Sequence, residues 1–300
     1  MTEGINVLKK AAPYLRLYKE KTFVIKTGGE IFTSEATVDS FAEQVALLHE
    51  LSIKVVLVHG GGTMATDLAR RLGIPVEIVN GRRVTCADTL EVVKMVFNGK
   101  LNTDLLAVLR KHKVPGVGLS GIDAGLINAS RRPVTRVTDE KSGETRDVDF
   151  GYVGEVVSVN PAVIVHLLAG SFVPVVSAMA GSGQGEVFNV NADTIAARLA
   201  VALKAEKLIL LTTPLGVLTD VDDPMSLISH IERQELDGVI EGHSAGGMRV
   251  KLEACRDALD GGVPRTHIIS GLRPDSLLVE IFTNKGSGTL IDVAKGAAGT

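Results

Sequence analysis

Short apolar runs alternate along the chain with longer segments of helical periodicity, and this alternation constrains the fold more than any other feature. The run KVVLVH at residues 54–59 is apolar on both of its alternating faces, which is typical of a strand inside a parallel sheet. A helical pattern follows it directly. The predicted strands TFVIK, FVPVVS, KLILLTT and RTHIIS likewise adjoin segments with a helical pattern. Strands alternating with helices predict an α/β fold with a mainly parallel central sheet, covered on both faces.

Three segments interrupt this alternation. Between Arg131 and Val159, polar and β-forming residues interleave around a turn at residues 141–143, which predicts a β-hairpin arm outside the central sheet. GSGQGE at residues 181–186 is rich in glycine, and we interpret it as a hinge between two lobes. At the amino terminus, INVLKKAAPYLRLYKEK has helical spacing that Pro13 interrupts, so we expect a kink or break in the helix there.

Charge and composition exclude several function classes. With 32 Lys and Arg against 35 Asp and Glu, and no Trp, the chain lacks both the basic footprint and the stacking residues of a nucleic-acid-binding protein. Cys86 and Cys255 stand far apart, which fits a reducing compartment and favours neither a disulfide framework nor zinc. We recognise no signal peptide and no apolar segment long enough to span a membrane, so we expect a soluble, cytoplasmic protein.

Glycine clusters follow two of the predicted strands. VIKTGGE at residues 24–30 places Lys26 at the carboxyl end of a strand, just before Gly28 and Gly29. Paired glycines let the backbone approach a ligand because no Cβ intervenes, although a surface lysine before an ordinary turn is the alternative. HGGG at residues 59–62 opens a helix. Three glycines at a helix start favour contact with an anionic or amide ligand over a simple tight turn.

Three further segments carry candidate polar groups. NGRRVT at residues 80–85 offers an arginine for a bidentate pair with a carboxylate, although a solvated arginine pair explains it as well. NVNADTIAA places Asn189 and Asp193 before a helix, where they also suit a turn and the helix dipole. SAGGMRVK predicts a helix with Lys251 in its first turn, a position that a bound polyanion would favour. The alternative is a lysine that extends to solvent. The sequence contains no P-loop, nucleophile elbow or protein-kinase signature.

Together these segments resemble one family, N-acetylglutamate kinase, within the amino acid kinase superfamily. The matching motifs, in the family's order and over nearly the whole chain, are VIKTGG, VLVHGGG, NGRRVT, VGLSGIDAGLI, DFGYVGEVVSVNP, NVNADTIAA, AEKLILLT, GGMRVK and FTNKGSGTLI. The resemblance implies the amino acid kinase fold, an open αβα sandwich with two lobes. Residues 1–187 would form the lobe for N-acetylglutamate binding and dimerisation, together with the amino-terminal helix, and residues 188–300 would form the ATP-binding lobe.

The resemblance also implies a reaction and a set of site residues. ATP, with Mg²⁺, would phosphorylate the side-chain carboxylate of N-acetyl-L-glutamate to give N-acetyl-L-glutamyl 5-phosphate, the second step of arginine biosynthesis. By position, Lys26 and Lys251 would stabilise the transferring phosphoryl group, and Asp193 would orient both lysines. Arg83 would hold the α-carboxylate of the substrate, whose other contacts would be Gly61, Gly62 and Asn189. The nucleotide would contact Gly28, Gly29, Thr212, Thr213, Gly216, Gly247 and Met248. No protein side chain is assigned as a metal ligand.

The amino-terminal helix resembles the extension of arginine-inhibited, hexameric members of the family. In those members arginine binds between this helix and the carboxyl-terminal lobe. We therefore expect L-arginine as a feedback inhibitor and a homo-oligomer, either a dimer or a hexamer. The family's arginine contacts fall on Tyr14, Lys207, Glu280 and Gly286.

The sequence departs from the family pattern at three places. Thr27 replaces an aromatic residue, Thr63 replaces a proline, and Thr213-Pro214 replaces an aspartate at the nucleotide site. Two alternatives to the main interpretation stay open. One is a paralogous kinase of another acylated amino acid, of the 2-aminoadipate type. The other is a non-catalytic, arginine-sensing homologue.

Overall fold

The computed structural model describes residues 12–138, 143–242 and 246–293. Its strands, in chain order, are β1 (Thr22–Thr27), β2 (Lys54–His59), β3 (Ile78–Val79), β4 (Arg82–Arg83), β5 (Gly116–Ser120), β6 (Ile127–Arg131), β7 (Thr135–Thr138), β8 (Thr145–Val148), β9 (Gly154–Val159), β10 (Val173–Ser177), β11 (Met179–Gly181), β12 (Val187–Asn189), β13 (Lys207–Thr212), β14 (His230–Glu232), β15 (Arg265–Ser270) and β16 (Thr289–Asp292).

The described helices are α1 (residues 12–18), α2 (Glu35–Glu50), α3 (Gly62–Arg71), α4 (Ala87–Lys94), α5 (Asn102–Lys111), α6 (Ala162–Ala169), α7 (Ala192–Ala202), α8 (Arg233–Gly242), α9 (Gly246–Asp260) and α10 (Ser276–Phe282). A π-helical segment, Met95–Leu101, joins α4 to α5. Short 3₁₀ turns cover Ile31–Thr33, Asp123–Gly125 and Pro224–Ser226. Within the described ranges, no helix is long and apolar enough to cross a membrane.

Eight strands form the central sheet, in the order β14-β16-β15-β13-β1-β2-β10-β5. Six of them, from β15 to β5, pair in parallel. At one edge β16 runs antiparallel to β15, and β14 pairs in parallel with β16. The mainly parallel α/β architecture predicted from the alternation of strands and helices is confirmed.

Residues of the central strands alternate between two hydrophobic cores, one on each face of the sheet. Val56 and Val58 of β2 belong to the larger core, which also contains residues of α3, α4, α7 and α9. Val55 and Leu57 belong to the core under α2, α5 and α10. A strand buried on both faces is therefore apolar at every position, which is why KVVLVH shows no alternation of polar and apolar residues.

The β-rich segments lie outside the central sheet. A smaller sheet has the order β12-β11-β6-β9, and two-stranded pairs form between β3 and β4 and between β7 and β8. The predicted arm is confirmed for β7 and β8, which form an antiparallel hairpin. The last strand of the predicted segment, β9, instead pairs with β6 in the smaller sheet. Residues 141 and 142 of the predicted turn lie outside the described residues. The segment predicted as a hinge connects the antiparallel strands β11 and β12, and the lobe boundary after residue 187 stays a prediction.

Two helix boundaries differ from those predicted. Helix α9 begins at Gly246 rather than after the glycine pair, so the prediction that Lys251 lies in its first turn is wrong. Gly246 adopts a φ of 85°, which glycine tolerates, and the helix continues from it. Pro13 is the second residue of α1 (residues 12–18), and residues 1–11 lie outside the described residues. The kink or break expected at Pro13 therefore stays a prediction.

Candidate active site

Three buried charged side chains meet beyond the carboxyl end of β1. The Nζ of Lys26 lies 3.2 Å from Oδ1 of Asp193, and the Nζ of Lys251 donates to Oδ2 of the same carboxylate at 2.9 Å. All three residues are at least nine-tenths buried. They come from β1, α7 and α9, so only the folded chain brings them together.

Local structure explains the position of each member. Asn191 caps α7, and its side chain accepts hydrogen bonds from the amides of Asp193 and Thr194 at 2.9 and 3.1 Å. This cap places the Asp193 carboxylate in the first turn, where the helix dipole favours negative charge. Lys251 is the sixth residue of α9, so the expected conflict with the dipole does not arise. Its buried ion pair with Asp193 also shows that the alternative of a solvent-extended lysine is wrong.

The two lysines outweigh the cost of burying Asp193. Burial by itself would raise the pKa of this carboxyl, but attraction to Lys26 and Lys251 holds the pKa below its ordinary value. Burial would likewise lower the pKa of Lys26, whereas attraction to Asp193 and Glu30 raises it. With one carboxylate between two ammonium groups, the three residues carry a formal charge of +1. This cluster can therefore stabilise an additional anion.

Arg83, on β4, contacts the start of α3 and keeps one donor without a partner in the described part of the chain. Its Nη2 donates to the carbonyl of Gly62 at 2.7 Å and to the hydroxyl of Thr66 at 2.5 Å. Its Nη1 is buried and has no partner among the described residues. A buried donor without an acceptor is costly, and a ligand carboxylate would satisfy it.

The glycines predicted to bind substrate have different surroundings. A Cβ on Gly61 would lie 2.1 Å from Leu101 and 3.0 Å from the ring of Phe97, so packing against the π-helical segment already requires glycine there. A Cβ on Gly62 would meet nothing within 4 Å. Asn189 donates from Nδ2 to the hydroxyl of Thr85 at 3.2 Å, two residues beyond Arg83. Gly62 is therefore the glycine with room for a ligand on its open side.

The predicted nucleotide contacts lie on two groups of elements. Gly28 follows β1, and its amide donates to Oε1 of Glu30 at 2.6 Å. Gly29 faces Thr63 on α3, whose hydroxyl would lie 3.5 Å from a Cβ on that glycine. In the other group, Thr212 ends β13, Gly216 packs against β16, and Gly247 and Met248 lie in the first turn of α9. A Cβ on Gly216 would lie 2.6 Å from the hydroxyl of Thr289, whereas one on Gly247 would meet nothing within 4 Å.

Two of the unusual residues have a clear structural setting. The hydroxyl of Thr27 is completely buried and has no hydrogen-bond partner in the part of the chain that the structure describes. The backbone carbonyl of Thr213 accepts a hydrogen bond from Ser270 at 3.1 Å, which ties the end of β13 to the end of β15. Nothing in the structure explains why threonine and proline follow this strand.

The residues predicted to bind arginine surround a second buried cluster. Lys207 donates to Nε2 of His267 at 2.9 Å, and Nδ1 of His267 donates to Glu280 at 2.7 Å. A Cβ on Gly286 would lie 3.0 Å from Oε2 of Glu280. Tyr14 reaches this cluster indirectly, because it stacks on Tyr18, whose ring centroid lies 5.1 Å from Nζ of Lys207.

Four residues that contact the two clusters or Arg83 were not predicted from the sequence: Tyr18, Glu30, Thr66 and His267. His267 lies inside RTHIIS, and a histidine in an otherwise apolar strand is a signal of a buried polar partner. Glu30 is the last residue of VIKTGGE, but no sequence pattern indicates that its side chain turns back onto the amide of Gly28. Thr66 follows Gly62 by one helical turn. This spacing identifies both as contacts of Arg83 only when the position of Arg83 in the fold is known.

A buried pair of lysines around one aspartate, at the carboxyl edge of a parallel sheet, forms a site with an excess positive charge that suits an anionic ligand. The sequence model of the amino acid kinase family matches residues 21–270, and the chain belongs to this family. Within it, the chain is 47% identical to the acetylglutamate kinase of Myxococcus xanthus, over 95% of this chain and 93% of that one. It is 42% identical to the acetylglutamate kinase of Moorella thermoacetica, over 96% and 97% of the two chains. The predicted family is confirmed.

Solved structures agree with the fold. The N-acetylglutamate synthase from Neisseria gonorrhoeae, complexed with coenzyme A and N-acetyl-glutamate, matches with a TM-score of 0.81 and 28% identity. The match covers 96% of this chain but 63% of the synthase, so this chain spans less than two thirds of that protein. The carbamate kinase of Giardia matches with a TM-score of 0.65 at 16% identity, over 91% of this chain and 99% of that one, which supports the fold alone.

Proposed function

We propose that this chain is an acetylglutamate kinase, which transfers the γ-phosphoryl group of ATP to the side-chain carboxylate of N-acetyl-L-glutamate. The product is N-acetyl-L-glutamyl 5-phosphate, an intermediate of arginine biosynthesis in the cytoplasm. The observation that carries the proposal is the cluster of Lys26, Asp193 and Lys251, which is buried and has an excess positive charge. The relatives at 42–47% identity support the choice of acceptor.

Both reactants are anions, so the reaction requires positive charge and alignment rather than a covalent intermediate. Lys26 and Lys251 stabilise the negative charge of the transferring phosphoryl group from opposite sides of Asp193. Asp193 holds the two ammonium groups in place, which avoids the cost of organising them during the reaction. The acceptor carboxylate attacks the γ-phosphorus, the bond to the bridging β–γ oxygen breaks, and ADP leaves with that oxygen.

Arg83 fixes the other end of the acceptor. Its buried Nη1 has no partner among the described residues, and it donates to the α-carboxylate of N-acetylglutamate. Gly62 gives the substrate access to the backbone at the start of α3, and Asn189 supplies an amide beside it. Gly28 and Gly29 lie beside the phosphates, and Thr212, Thr213, Gly247 and Met248 contact the remainder of the nucleotide.

Mg²⁺ would be held at this site through the phosphates of the nucleotide. Within residues 12–138, 143–242 and 246–293, no three His, Cys, Asp or Glu side chains come together to form a metal site. An octahedral Mg²⁺ is commonly held by phosphate oxygens and water, with few protein ligands, and such an ion fits these residues. The bound ion supplies charge neutralisation to the phosphates.

The direct test is ADP release by the purified protein with MgATP and one of three acceptors. We expect strong turnover with N-acetyl-L-glutamate and little with N-acetyl-2-aminoadipate or glutamate. Turnover only with the aminoadipate derivative would keep the reaction and change the substrate. A folded protein that is inactive with all three acceptors but binds L-arginine would instead be the non-catalytic sensor.

We further propose that L-arginine binds at the second cluster and inhibits the enzyme. Burial would raise the pKa of Glu280, but hydrogen bonds from His267 and the amides of Ser287 and Gly288 lower it to about 2, so the carboxylate is ionised when a guanidinium arrives. The synthase from N. gonorrhoeae has also been solved in complex with coenzyme A and L-arginine, and it matches with a TM-score of 0.79 at 26% identity, over 96% of this chain and 65% of that one.

Two measurements test the proposed regulation. L-Arginine should lower turnover of the wild-type protein, and Glu280→Gln should weaken this inhibition while leaving turnover without arginine unchanged. Size-exclusion chromatography with light scattering should show a homo-oligomer, a hexamer if the amino-terminal helix joins dimers. A dimer whose activity does not respond to arginine would contradict the regulatory proposal and leave the kinase proposal intact.

A further inference from the structure

The carboxylate of Glu30 lies against the amide of Gly28, beside Lys26. The amide donates to Oε1 of Glu30 at 2.6 Å. A Cβ built on Gly28 would lie 2.6 Å from Oε2 of Glu30 and 3.0 Å from Nζ of Lys26. A carboxylate and an ammonium group of opposite charge therefore approach the same glycine from its open side.

The aliphatic part of Glu30 has its own packing contact. A Cβ on Gly271 would lie 3.1 Å from Cγ of Glu30, so this side chain extends across the end of β15. The amide of Gly271 donates to the carbonyl of Thr212, the last residue of β13, at 2.8 Å. Glu30 thus lies where β1, β13 and β15 end together, between Gly28 and the predicted nucleotide contacts of the second lobe.

A carboxylate and a phosphate group use the same donors, namely backbone amides and ammonium groups. The amide of Gly28 has a single hydrogen, and Glu30 already accepts it at a short, charge-assisted distance. A phosphate oxygen can accept that hydrogen only after the carboxylate has moved. The carboxylate also balances the +1 charge of Lys26, Asp193 and Lys251, so its departure leaves positive charge for the incoming anion.

We propose that Glu30 acts as a carboxylate placeholder in the anion position formed by the Gly28 amide and Lys26, and that a nucleotide phosphate binds there by displacing it. This inference rests on the proposed function, because it uses the placement of phosphates beside Gly28. Glu30 is a positioning residue in this scheme and takes no part in bond making. Its return to Gly28 after transfer competes with the phosphates of ADP and favours product release.

The proposal predicts a gain of affinity. Glu30→Gln keeps an oxygen that accepts from Gly28 but removes the negative charge, and Glu30→Ala removes the group. Because a like charge near a partly exposed phosphate is worth about 1 kcal/mol, the Gln variant should bind ADP and inorganic pyrophosphate about five- to tenfold more tightly than wild type. The control is Glu35→Gln, which makes the same charge change at an exposed position of the first turn of α2.

Isothermal titration calorimetry of the full chain with ADP and with pyrophosphate, each with and without Mg²⁺, measures these affinities. We expect tighter binding in both Glu30 variants under both conditions, no change in Glu35→Gln, and far-ultraviolet circular dichroism equal to that of wild type. Equal affinities in all four proteins would overturn the placeholder role. Weaker binding by the Glu30 variants, confined to titrations with Mg²⁺, would also overturn it and make Glu30 a ligand of the metal–nucleotide complex.

The titrations separate this inference from the proposed function, because they require no acceptor and no turnover. If pyrophosphate bound weakly to wild type and tightly to the Glu30 variants, the placeholder role would be supported. This would hold even if ADP failed to bind and the kinase function were refuted. Normal ADP binding and turnover without any effect of Glu30 would leave the kinase function standing and overturn the placeholder. Absence of binding by either ligand to every variant would overturn both.

Discussion

The two buried charge clusters use similar residues but have opposite electrostatic balances. In the first, Asp193 is shared between Lys26 and Lys251, which leaves a formal charge of +1. In the second, Lys207 and Glu280 are joined through His267. Burial, together with the nearby charge of Lys207, lowers the pKa of His267 to about 4, so its ring is neutral near pH 7 and the cluster has no net charge.

The carboxylates of Glu280 and Asp193 also differ in the number of hydrogen-bond donors around them. Glu280 also accepts from the amides of Ser287 and Gly288 at 2.5 and 3.1 Å, so its oxygens are well provided with donors. Oδ1 of Asp193 has no aligned hydrogen-bond donor among the described residues, only the ion pair with Lys26. A balanced, saturated cluster stabilises the fold or receives an effector, whereas an unbalanced one can act on a further anion.

The largest expected effect separates the lysines of the two clusters. Lys26→Ala or Lys251→Ala should lower turnover about 10²-fold or more, because each removes a preorganised positive charge from the phosphoryl group. Lys207→Met, measured without arginine, should retain about the wild-type turnover. Steady-state ADP release by folded protein measures all three. Near-normal turnover in either of the first two variants would remove that lysine from the mechanism, and a comparable loss in Lys207→Met would abolish the contrast.

Removing the charge of Asp193 or of Glu280 should affect stability in both cases but turnover in only one. Asp193→Asn leaves two buried lysines without their shared countercharge, and Glu280→Gln leaves Lys207 without its own. Each variant should lower the free energy of unfolding by about 3 kcal/mol. Only Asp193→Asn should also lose turnover. Urea unfolding followed by circular dichroism measures the first quantity. If Asp193→Asn kept both its stability and its turnover, the unbalanced cluster would have no role in either.

The histidine of the second cluster should give the protein an acid-sensitive stability. The pKa of His267 is about 4 in the folded chain and ordinarily 6.5, so the unfolded state binds the proton first as the pH falls. The contribution is present above pH 6.5 and is lost toward pH 4, which amounts to about 2 kcal/mol between pH 6.5 and 5.

The pKa of His59 is also lowered to about 4, because its ring is buried at the end of β2. In His267→Gln the acid limb of the unfolding free energy should therefore become shallower by about half, with the remainder due to His59. The measurement is urea unfolding at a series of pH values. An unchanged slope would show that His267 is already protonated in the folded cluster, which would then carry a net charge.

The smallest effect concerns the glycines beside the first cluster. Gly61→Ala should lower the free energy of unfolding by about 1–3 kcal/mol, because the new methyl group overlaps Leu101 and Phe97. Gly62→Ala has open space and should unfold like wild type while raising the KM for N-acetylglutamate. Thermal unfolding and substrate titration of the two variants test this pair. A normal KM in Gly62→Ala would place the acceptor elsewhere.

Much of the site was predictable because its residues lie in contiguous motifs. VIKTGG, NVNADTIAA and GGMRVK contain Lys26, Asp193 and Lys251, and each motif adjoins a strand or helix with a clear periodicity. The residues that were not predicted have their contacts with elements far away in the sequence. Tyr18, His267 and Glu30 become informative only through partners on other elements, and hydrophobic periodicity carries no information about which polar side chains face each other.

The sequence by itself determined the alternation of strands and helices, the parallel sheet and the glycine-rich loops at the strand ends, because these depend on local periodicity and backbone freedom. Only the tertiary structure decided that one aspartate is shared by two lysines while another buried lysine is neutralised through a histidine. Pairing of buried charges depends on distances of about 3 Å between elements far apart in the chain, and the free energy of such pairs is set by the burial that folding creates.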